Sequence, residues 1–228
     1  GGRAAVKAAR DSGPPVVYYT GADPVADGLA ESLTRPAGNA SGVWAVVPVA
    51  KQLEFLSKAA PGGKRVLLFH DEVAAGEAAA ADARVAARIL GVTLVETLVK
   101  DKDGVRARLE TVTPGEVDAV YNFPSVFEAT NASAEAQASL RLRLPMSTGL
   151  LSDAGLPGVL LSYSYDPSDV GEQCARLADK ILRGAPAGEI PVEAPSHYRL
   201  VINLATARAI GLTVPPDLLS LADRLIDE

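Results

Sequence analysis

The regular alternation of short apolar runs with longer amphipathic runs is the feature that most constrains the fold of this chain. Lys64–Phe69 ends in a continuous apolar run, as expected of a strand buried on both faces of a parallel sheet. Val49–Ala59 has apolar residues at helical spacing, and the Ala-rich helical run Ala74–Leu90 is followed by Gly91, a residue that favours helix C-caps. Strands that alternate with helices predict an α/β fold built from parallel βαβ units.

The same two patterns extend along the rest of the chain. Further strands are predicted at Val16–Tyr19, Ser41–Ala45, Val92–Leu98, Asp118–Asn122, Pro145–Thr148, Gly158–Tyr163 and His197–Asn203. Further helices are predicted at Gly2–Ala9, Pro24–Leu33, Gly104–Thr111, Val126–Leu142, Asp169–Arg183 and Leu204–Ile210. In open α/β sheets ligands bind where parallel strands end, so the residues at these strand ends form the candidate site.

Composition argues against several classes of partner. The chain has 228 residues, enough for one large domain or two small lobes, and 48% of them are hydrophobic. The formal net charge of −6 and the lack of a Lys/Arg cluster argue against nucleic acid and anionic membranes. No apolar run approaches the roughly 20 residues needed to span a bilayer, so we expect no direct membrane insertion of this segment. The single Cys174 cannot form an internal disulfide.

Polar, acidic and aromatic side chains recur where the predicted strands end. The turn Thr20–Pro24 follows one strand, and Tyr165 and Asp166 follow another. Several polar groups that converge at strand ends are what a small-molecule site requires. Acidic candidates outnumber basic ones, which favours a ligand that carries an amine or hydroxyl groups. The candidate ligand-binding residues are Thr20, Asp23, Asp71, Asn122, Ser125, Ser147, Thr148, Tyr165 and Asp166.

Some residues near these strand ends also have a purely structural interpretation. Asp23 precedes Pro24, and Asp at the N-cap with Pro at the first helical position is a preferred helix start. Tyr163 fits a core position better than a ligand contact. His70-Asp71-Glu72 combines a histidine with two carboxylates, but adjacent residues on a turn rarely point at one ion, so we expect no metal site there. Hydrogen bonding is the better interpretation of Asp71.

The chain lacks the motifs of common enzyme classes. It has no GxSxG nucleophile elbow, no P-loop, no GxGxxG fingerprint and no pair of cysteines. Cys174 falls within a predicted helix where no neighbouring residue favours a reactive thiolate, so it is interpreted as a small core residue. We therefore expect a binding protein without a cofactor rather than an enzyme.

Segments near both ends of the chain carry a resemblance to a known family. Residues 23–29 read Asp-Pro-Val-Ala-x-Gly-Leu, and residues 32–42 read Ser-Leu-x-Arg-Pro-x-Gly-Asn-x-x-Gly. Residues 180–185 read Lys-Ile-Leu-Arg-Gly-Ala, and residues 211–216 read Gly-Leu-Thr-Val-Pro-Pro. With these motifs the chain resembles the periplasmic substrate-binding components of ABC importers, in the group that includes tryptophan- and tyrosine-binding proteins. It departs from the family pattern at His70-Asp71-Glu72, where an Asn-Pro-like turn is expected.

The resemblance implies a type I periplasmic binding protein fold, with two Rossmann-like lobes and parallel sheets. On that pattern the first lobe holds residues 1–47 and 167–185, and the second lobe holds residues 48–166 and 186–228. The first lobe of the family begins with additional strand–helix units, each of roughly 30 residues. We therefore expect the first lobe to be incomplete at its amino end.

The resemblance also implies a function. The protein would be the solute-binding component of an ABC importer, would capture an amino acid or related small organic ligand in a cleft between the lobes, and would deliver it to a membrane permease. It would be periplasmic, or extracytoplasmic and lipid-anchored. Two alternatives stay open. One is the ligand-sensing domain of a signalling protein, and the other is a racemase-type enzyme, which would typically need two cysteines facing across a cleft.

Overall fold

The chain folds into two compact units. The computed structural model describes residues 2–71, 74–123 and 126–227. Unit 1 comprises Gly1–Val47 and Tyr165–Tyr198, and unit 2 comprises Pro48–Ser164 and Arg199–Glu228. Within the described ranges, no helix is both long and apolar enough to cross a membrane.

Helices and strands alternate through most of the chain. The helices are α1 (Gly2–Ser12), α2 (Val49–Ala59), α3 (Ala74–Leu90), α4 (Lys102–Thr111), α5 (Val126–Leu142), α6 (Pro167–Leu182), α7 (Leu204–Ile210) and α8 (Pro216–Leu219). The strands are β1 (Val16–Thr20), β2 (Ala40–Trp44), β3 (Arg65–His70), β4 (Thr93–Leu98), β5 (Ala119–Asn122), β6 (Met146–Thr148), β7 (Leu161–Ser164), β8 (Arg199–Asn203) and β9 (Arg224–Ile226). Unit 1 contains α1, β1, β2 and α6, and the other elements belong to unit 2.

Residues 165–166 and 186–198, which the lobe prediction placed in the second lobe, fall in compact unit 1, and the lobe boundaries themselves stay a prediction. The segment around Glu193 pairs with β2 through its main chain. The Glu193 N–H donates to the Gly42 carbonyl at 3.0 Å, and the Trp44 N–H donates to the Glu193 carbonyl at 2.8 Å. The segment around Glu193 is therefore held against the sheet of unit 1.

The described residues of unit 1 form a two-stranded parallel sheet, β1 beside β2, covered by α6. The apolar face of α6 contributes Val170 and Leu177 to a buried cluster that also contains Val43 of β2. A second cluster is centred on Tyr18 of β1 and Leu29. Both clusters bury the apolar side chains that made the β1 and α6 segments recognisable in the sequence.

The helix predicted at Pro24–Leu33 is wrong, because these residues form turns between β1 and β2. A single helical turn does begin, since the Asp27 N–H donates to the Asp23 carbonyl at 2.9 Å. Gly28 then adopts φ +66°, a left-handed conformation that ends a helix. The local spacing of apolar residues was helical, but the glycine limited the helix to one turn.

In the described part of unit 2, seven strands form one sheet in the order β4-β3-β5-β6-β7-β8-β9. The strands from β4 to β7 are mutually parallel, which confirms the α/β class and the mostly parallel sheet. Strand β8 runs antiparallel to β7, with Arg199 opposite Ser164. The chain leaves unit 2 at the carboxyl end of β7, after Ser164, and re-enters it beside that same end at Arg199. Strand β8 therefore runs back along β7 in the opposite direction.

Both faces of this sheet are buried, which explains the continuous apolar run of β3. Leu67 and Phe69 pack on one face with residues of α4 and α5, whereas Val66 and Leu68 pack on the other face with residues of α2 and α3. Successive side chains of a strand point to opposite faces, so a strand covered on both sides needs apolar residues at every position. Helices α4 and α5 therefore define one side of unit 2, and α2 and α3 define the other.

Gly158 tests the packing of α5 against the segment that precedes β7. It has φ +104°, and a Cβ atom at this position would lie 2.0 Å from the carbonyl oxygen of Ala136. Replacing Gly158 with Ala should lower the free energy of unfolding by well over about 1 kcal/mol, because both the backbone conformation and the contact are incompatible with a side chain. Gly155→Ala is the matched control, since a Cβ atom on Gly155 would have no other atom within 4 Å. Urea denaturation of both variants gives the comparison, and equal midpoints would contradict this packing.

Candidate functional site

The carboxyl ends of β3, β5, β6 and β7 meet at one edge of the unit 2 sheet, here called the carboxyl edge. The strands end there at His70, Asn122, Thr148 and Ser164. In the strand register Asn122 lies opposite Thr148, and Thr148 lies opposite Ser162. Since paired residues of adjacent strands point to the same face, Asn122, Thr148 and Ser162 form a row of small polar side chains near this edge.

A buried carboxylate on α5 meets this row. The Asn122 amide donates from Nδ2 to Glu135 Oε2 at 3.3 Å, and the Thr148 hydroxyl donates to Asn122 Oδ1 at 3.3 Å. Thr148 Oγ1 in turn accepts from the Leu150 N–H at 3.3 Å. Glu135 and Thr148 are 0% exposed, and Asn122 is 1% exposed. These hydrogen bonds, here called the Glu135 relay, connect α5 through β5 and β6 to the loop after β6.

Sequence reasoning singled out Asn122 and Thr148 but missed Glu135. A signal was available, because Asn131, Glu135 and Ser139 follow one another at intervals of four and share one face of α5. Polar residues at that spacing are typical of a solvated face. Here all three are buried, so the polar stripe of α5 faces the protein interior.

Ser147 lies apart from the Glu135 relay. It is adjacent to Thr148 in β6 and therefore points to the opposite face of the sheet, where α2 packs. Its hydroxyl is buried and has no hydrogen-bond partner among the described residues. On the same face the Tyr121 hydroxyl donates to Gln52 Oε1, and Gln52 Nε2 donates to the Tyr163 carbonyl at 2.7 Å. The structure thus brings Asn122 and Thr148 together and places Ser147 on the other side of the sheet.

His70, at the end of β3, is buried against a network of charged residues. Its Nδ1 lies 3.6 Å from Glu77 Oε2, and its Nε2 lies 3.5 Å from Glu96 Oε2. Arg84 bridges the two carboxylates at 2.6 Å and 2.7 Å, and these hydrogen bonds raise the pKa of its guanidinium and lower the pKa of Glu77. Among the described residues no group of three His, Cys, Asp or Glu side chains is placed to hold a metal ion. The network is therefore an ion-pair network around an imidazole.

Two other predicted residues lie beyond the ends of β3 and β5. Asp71 directly follows β3 and is partly buried. Ser125 falls outside the described residues, as does Glu72. The proposed ligand contacts of Asp71 and Ser125 stay predictions.

At the end of β1 in unit 1, the predicted polar turn is held by its own side chains. The Thr20 hydroxyl oxygen accepts from the Ala22 N–H at 3.1 Å. The Asp23 carboxylate accepts from the Val25 N–H at 2.8 Å and from the Ala26 N–H at 3.2 Å. Asp23 therefore caps the single helical turn described above, although its side chain remains exposed.

Asp166 caps a full helix in the same way. It is the N-cap of α6, with Pro167 at the first helical position, and its Oδ1 accepts from the Ser168 N–H at 2.9 Å and from the Ser168 hydroxyl at 2.5 Å. The carboxylate thus satisfies a backbone donor that the helix leaves free. This structural role does not depend on a ligand.

An aromatic pair connects β1 to the start of α6 within unit 1. The hydroxyls of Tyr19 and Tyr165 lie 2.7 Å apart, and their rings meet edge to face with centroids 6.4 Å apart. Burial raises the pKa of Tyr165, and the hydrogen bond to Tyr19 adds to the shift. Tyr19 is 54% exposed, so the pair presents an aromatic surface with a hydroxyl to solvent. Sequence reasoning missed Tyr19, because it was taken as part of an apolar strand run.

Cys174 has the environment of a structural residue. It is partly buried on α6 beside the cluster that contains Val170 and Leu177. Burial raises the pKa of its thiol, and the negative charge of Glu193 raises it further. Both effects disfavour the thiolate that a nucleophile needs.

A pocket of about 550 Å³ lies at the opposite, amino-terminal edge of the unit 2 sheet and is lined by residues such as Gly62, Gly115, Asp118 and Leu212. The Asp118 carboxylate is already engaged by the Arg65 guanidinium at 2.8 Å, and this contact holds the pKa of Asp118 well below its usual range. The polar strand ends lie at the carboxyl edge instead, so we assign the candidate site there.

Comparison with known proteins identifies the family. A family model for ABC transporter substrate binding proteins matches residues 2–226. The chain belongs to this family. The resemblance seen in the sequence motifs is thereby confirmed, and members of this family are substrate-binding proteins.

Individual relatives agree with the family assignment. The tyrosine-binding protein of Clostridioides difficile strain R20291 is 23% identical over 213 residues, which is 92% of this chain and 60% of the relative. The chain thus spans about 60% of the length of this curated relative. A conserved domain protein from Vibrio cholerae superposes with a TM-score of 0.84 at 24% identity, covering 98% of this chain and 74% of that one. An ABC domain from Streptococcus pneumonia in complex with L-Trp superposes with a TM-score of 0.82 at 22% identity, covering 96% and 74%. These structures confirm the type I periplasmic binding protein fold.

The capping role of Asp166 gives a test in this substrate-binding protein. Asp166→Ala should lower the free energy of unfolding by about 1 kcal/mol, because the first turn of α6 loses its side-chain acceptor. Asp166→Asn should stay within a few tenths of a kcal/mol of wild type, because Asn caps helices nearly as well as Asp. Chemical denaturation without ligand measures both. An alanine variant as stable as wild type would show that the cap contributes nothing.

Proposed function

We propose that this protein is the ligand-capturing component of an ABC importer, which binds an amino acid outside the cytoplasm and delivers it to a membrane permease. The observation that carries the proposal is the family match over residues 2–226. The proposal assigns binding rather than catalysis and requires no cofactor. The net charge of −6 favours a small-molecule ligand over nucleic acid.

An amino acid with an aromatic side chain is the proposed ligand class. Two relatives support it by name, one a tyrosine-binding protein and the other a domain in complex with L-Trp. Within this chain the exposed face of the Tyr19–Tyr165 pair supports it, because aromatic rings offer a large apolar surface and a hydroxyl at a small entropic cost. The acidic candidates Asp23, Asp71 and Asp166 are suited to a ligand ammonium group.

The predicted site residues divide into two proposed roles. Asn122 and Thr148 are polar residues at the carboxyl edge. Because both are buried, their proposed role is to shape the site rather than to contact the ligand over a large area. Tyr165, Asp71, Ser125 and Thr20 are the proposed contact residues, together with Asp166 and Asp23 beyond their capping roles. Ser147 is the weakest candidate, because it points to the opposite face from Thr148.

Isothermal titration calorimetry of the intact protein tests the proposal. L-Tryptophan, L-tyrosine and L-phenylalanine should each give saturable binding with one ligand per protein, whereas glucose should give none. A stronger response to L-leucine than to any aromatic amino acid would contradict the proposed ligand class. No binding to any amino acid would contradict the proposed function.

The tyrosine pair gives a sharper test of the ligand class. Tyr165→Ala should weaken binding of L-tryptophan by about 2- to 10-fold, the range of a single aromatic contact. Tyr19→Phe keeps the ring but removes the hydroxyl that bonds Tyr165, so it separates stacking from hydrogen bonding. Tyr163→Phe is the control, since it removes a hydroxyl from a tyrosine that packs on Phe55 in unit 2. Unchanged affinity in Tyr165→Ala would exclude the pair from the ligand site.

A further inference from the structure

Glu135 is an unusual residue to find inside unit 2. It is 0% exposed, and its neighbours on the same helix, Ala132, Ala136 and Ala138, are buried as well. Burying a carboxylate is expensive unless hydrogen bonds compensate for the lost water. An apolar side chain would fill the same place in the core without that cost, so packing alone does not account for a glutamate at this position.

Glu135 and Thr148 take opposite ends of the Asn122 side-chain amide. The side-chain amide of asparagine has a donor end and an acceptor end, which are interchangeable in shape. An ionised carboxylate only accepts hydrogen bonds, so Nδ2 of Asn122 faces Glu135 at 3.3 Å and Oδ1 faces the Thr148 hydroxyl at 3.3 Å.

The consequence reaches the loop that begins after β6. The Thr148 hydroxyl donates to Asn122 Oδ1 at 3.3 Å, and its oxygen accepts from the Leu150 N–H at 3.3 Å. The Gly149 N–H also donates to the main-chain carbonyl oxygen of Asn122 at 3.0 Å. The start of this loop is therefore held by the Thr148 hydroxyl of the Glu135 relay and by the main chain at Asn122.

We propose that Glu135 is a positioning residue for ligand binding, which acts through Asn122 and Thr148 to hold the loop at Gly149–Leu150 in its binding conformation. The inference rests on the proposed function, because it assumes that an amino acid binds at the carboxyl edge. Glu135 itself, being fully buried, makes no contact with the ligand.

Exchanging the two partners of the relay tests this inference. Asn122→Asp places a second carboxylate against Glu135 and should weaken binding of L-tryptophan by about 10-fold or more, on the scale of a charged hydrogen bond. Adding Glu135→Gln to that variant restores the hydrogen bond with its roles exchanged, because the new amide at position 135 donates to the new carboxylate at position 122. The other oxygen of that carboxylate again accepts from the Thr148 hydroxyl. The double variant should bind L-tryptophan within about 3-fold of wild type, a rescue that independent effects would not produce.

Ser139→Ala is the matched control. Ser139 lies one turn after Glu135 on the same face of α5 and is also 0% exposed, but its hydroxyl has no hydrogen-bond partner among the described residues. This variant should bind L-tryptophan as wild type does. Calorimetry supplies the affinity of each folded variant, and thermal unfolding without ligand supplies its stability.

The outcomes separate the two proposals. Rescue of affinity in the double variant supports the positioning role. In another outcome the melting temperature falls in Asn122→Asp and recovers in the double variant, but every folded variant binds with wild-type affinity. Glu135 is then structural only, and the inference is wrong. If the losses in affinity add instead of cancelling, the inference is also wrong, while the proposed function stands. A wild-type protein that binds none of the amino acids contradicts the proposed function and removes the inference with it.

Discussion

The parallel pairing of β3, β5, β6 and β7 is the constraint on which the rest of unit 2 depends. It buries both faces of the sheet, so β3 carries apolar side chains from Val66 to Phe69. It also brings every strand end to one edge, which is the place where polar residues can be gathered without disturbing the core. Asn122 and Thr148 lie opposite each other because of this register, and the Glu135 relay depends on that adjacency.

Acidic residues in this protein illustrate how one side chain can serve structure and be a candidate for function. Asp23 and Asp166 each precede a proline and accept backbone N–H groups of the following turn. A residue that caps a turn at a strand end is held in a fixed orientation and also lies at the edge where a ligand would bind. Measurements of stability without ligand and of affinity are therefore both needed before a loss of binding is attributed to contact.

Long, strongly patterned elements could be predicted from the sequence, and so could part of the candidate site. The bounds predicted for α2, α3, α5 and α7 agree with the structure, and α3 and α7 are each followed directly by a glycine in the left-handed conformation that ends a helix. The segment after Pro24 could not be placed by spacing alone, since the conformation of Gly28 outweighed it. Asn122 and Thr148 follow from the rule that ligands bind at strand ends, whereas Glu135 and Tyr19 lie within regular elements and gain meaning only from neighbours in other elements.

The central claim is that this substrate-binding protein binds an amino acid and that the carboxyl edge of unit 2 is part of the binding site. The most direct measurement is a crystal structure of the intact protein grown with L-tryptophan. We expect the ligand in contact with the loop at Gly149–Leu150, and the amide of Asn122 in the orientation described above. Ligand bound instead at the amino-terminal edge, beside Gly62 and Gly115, would contradict the account.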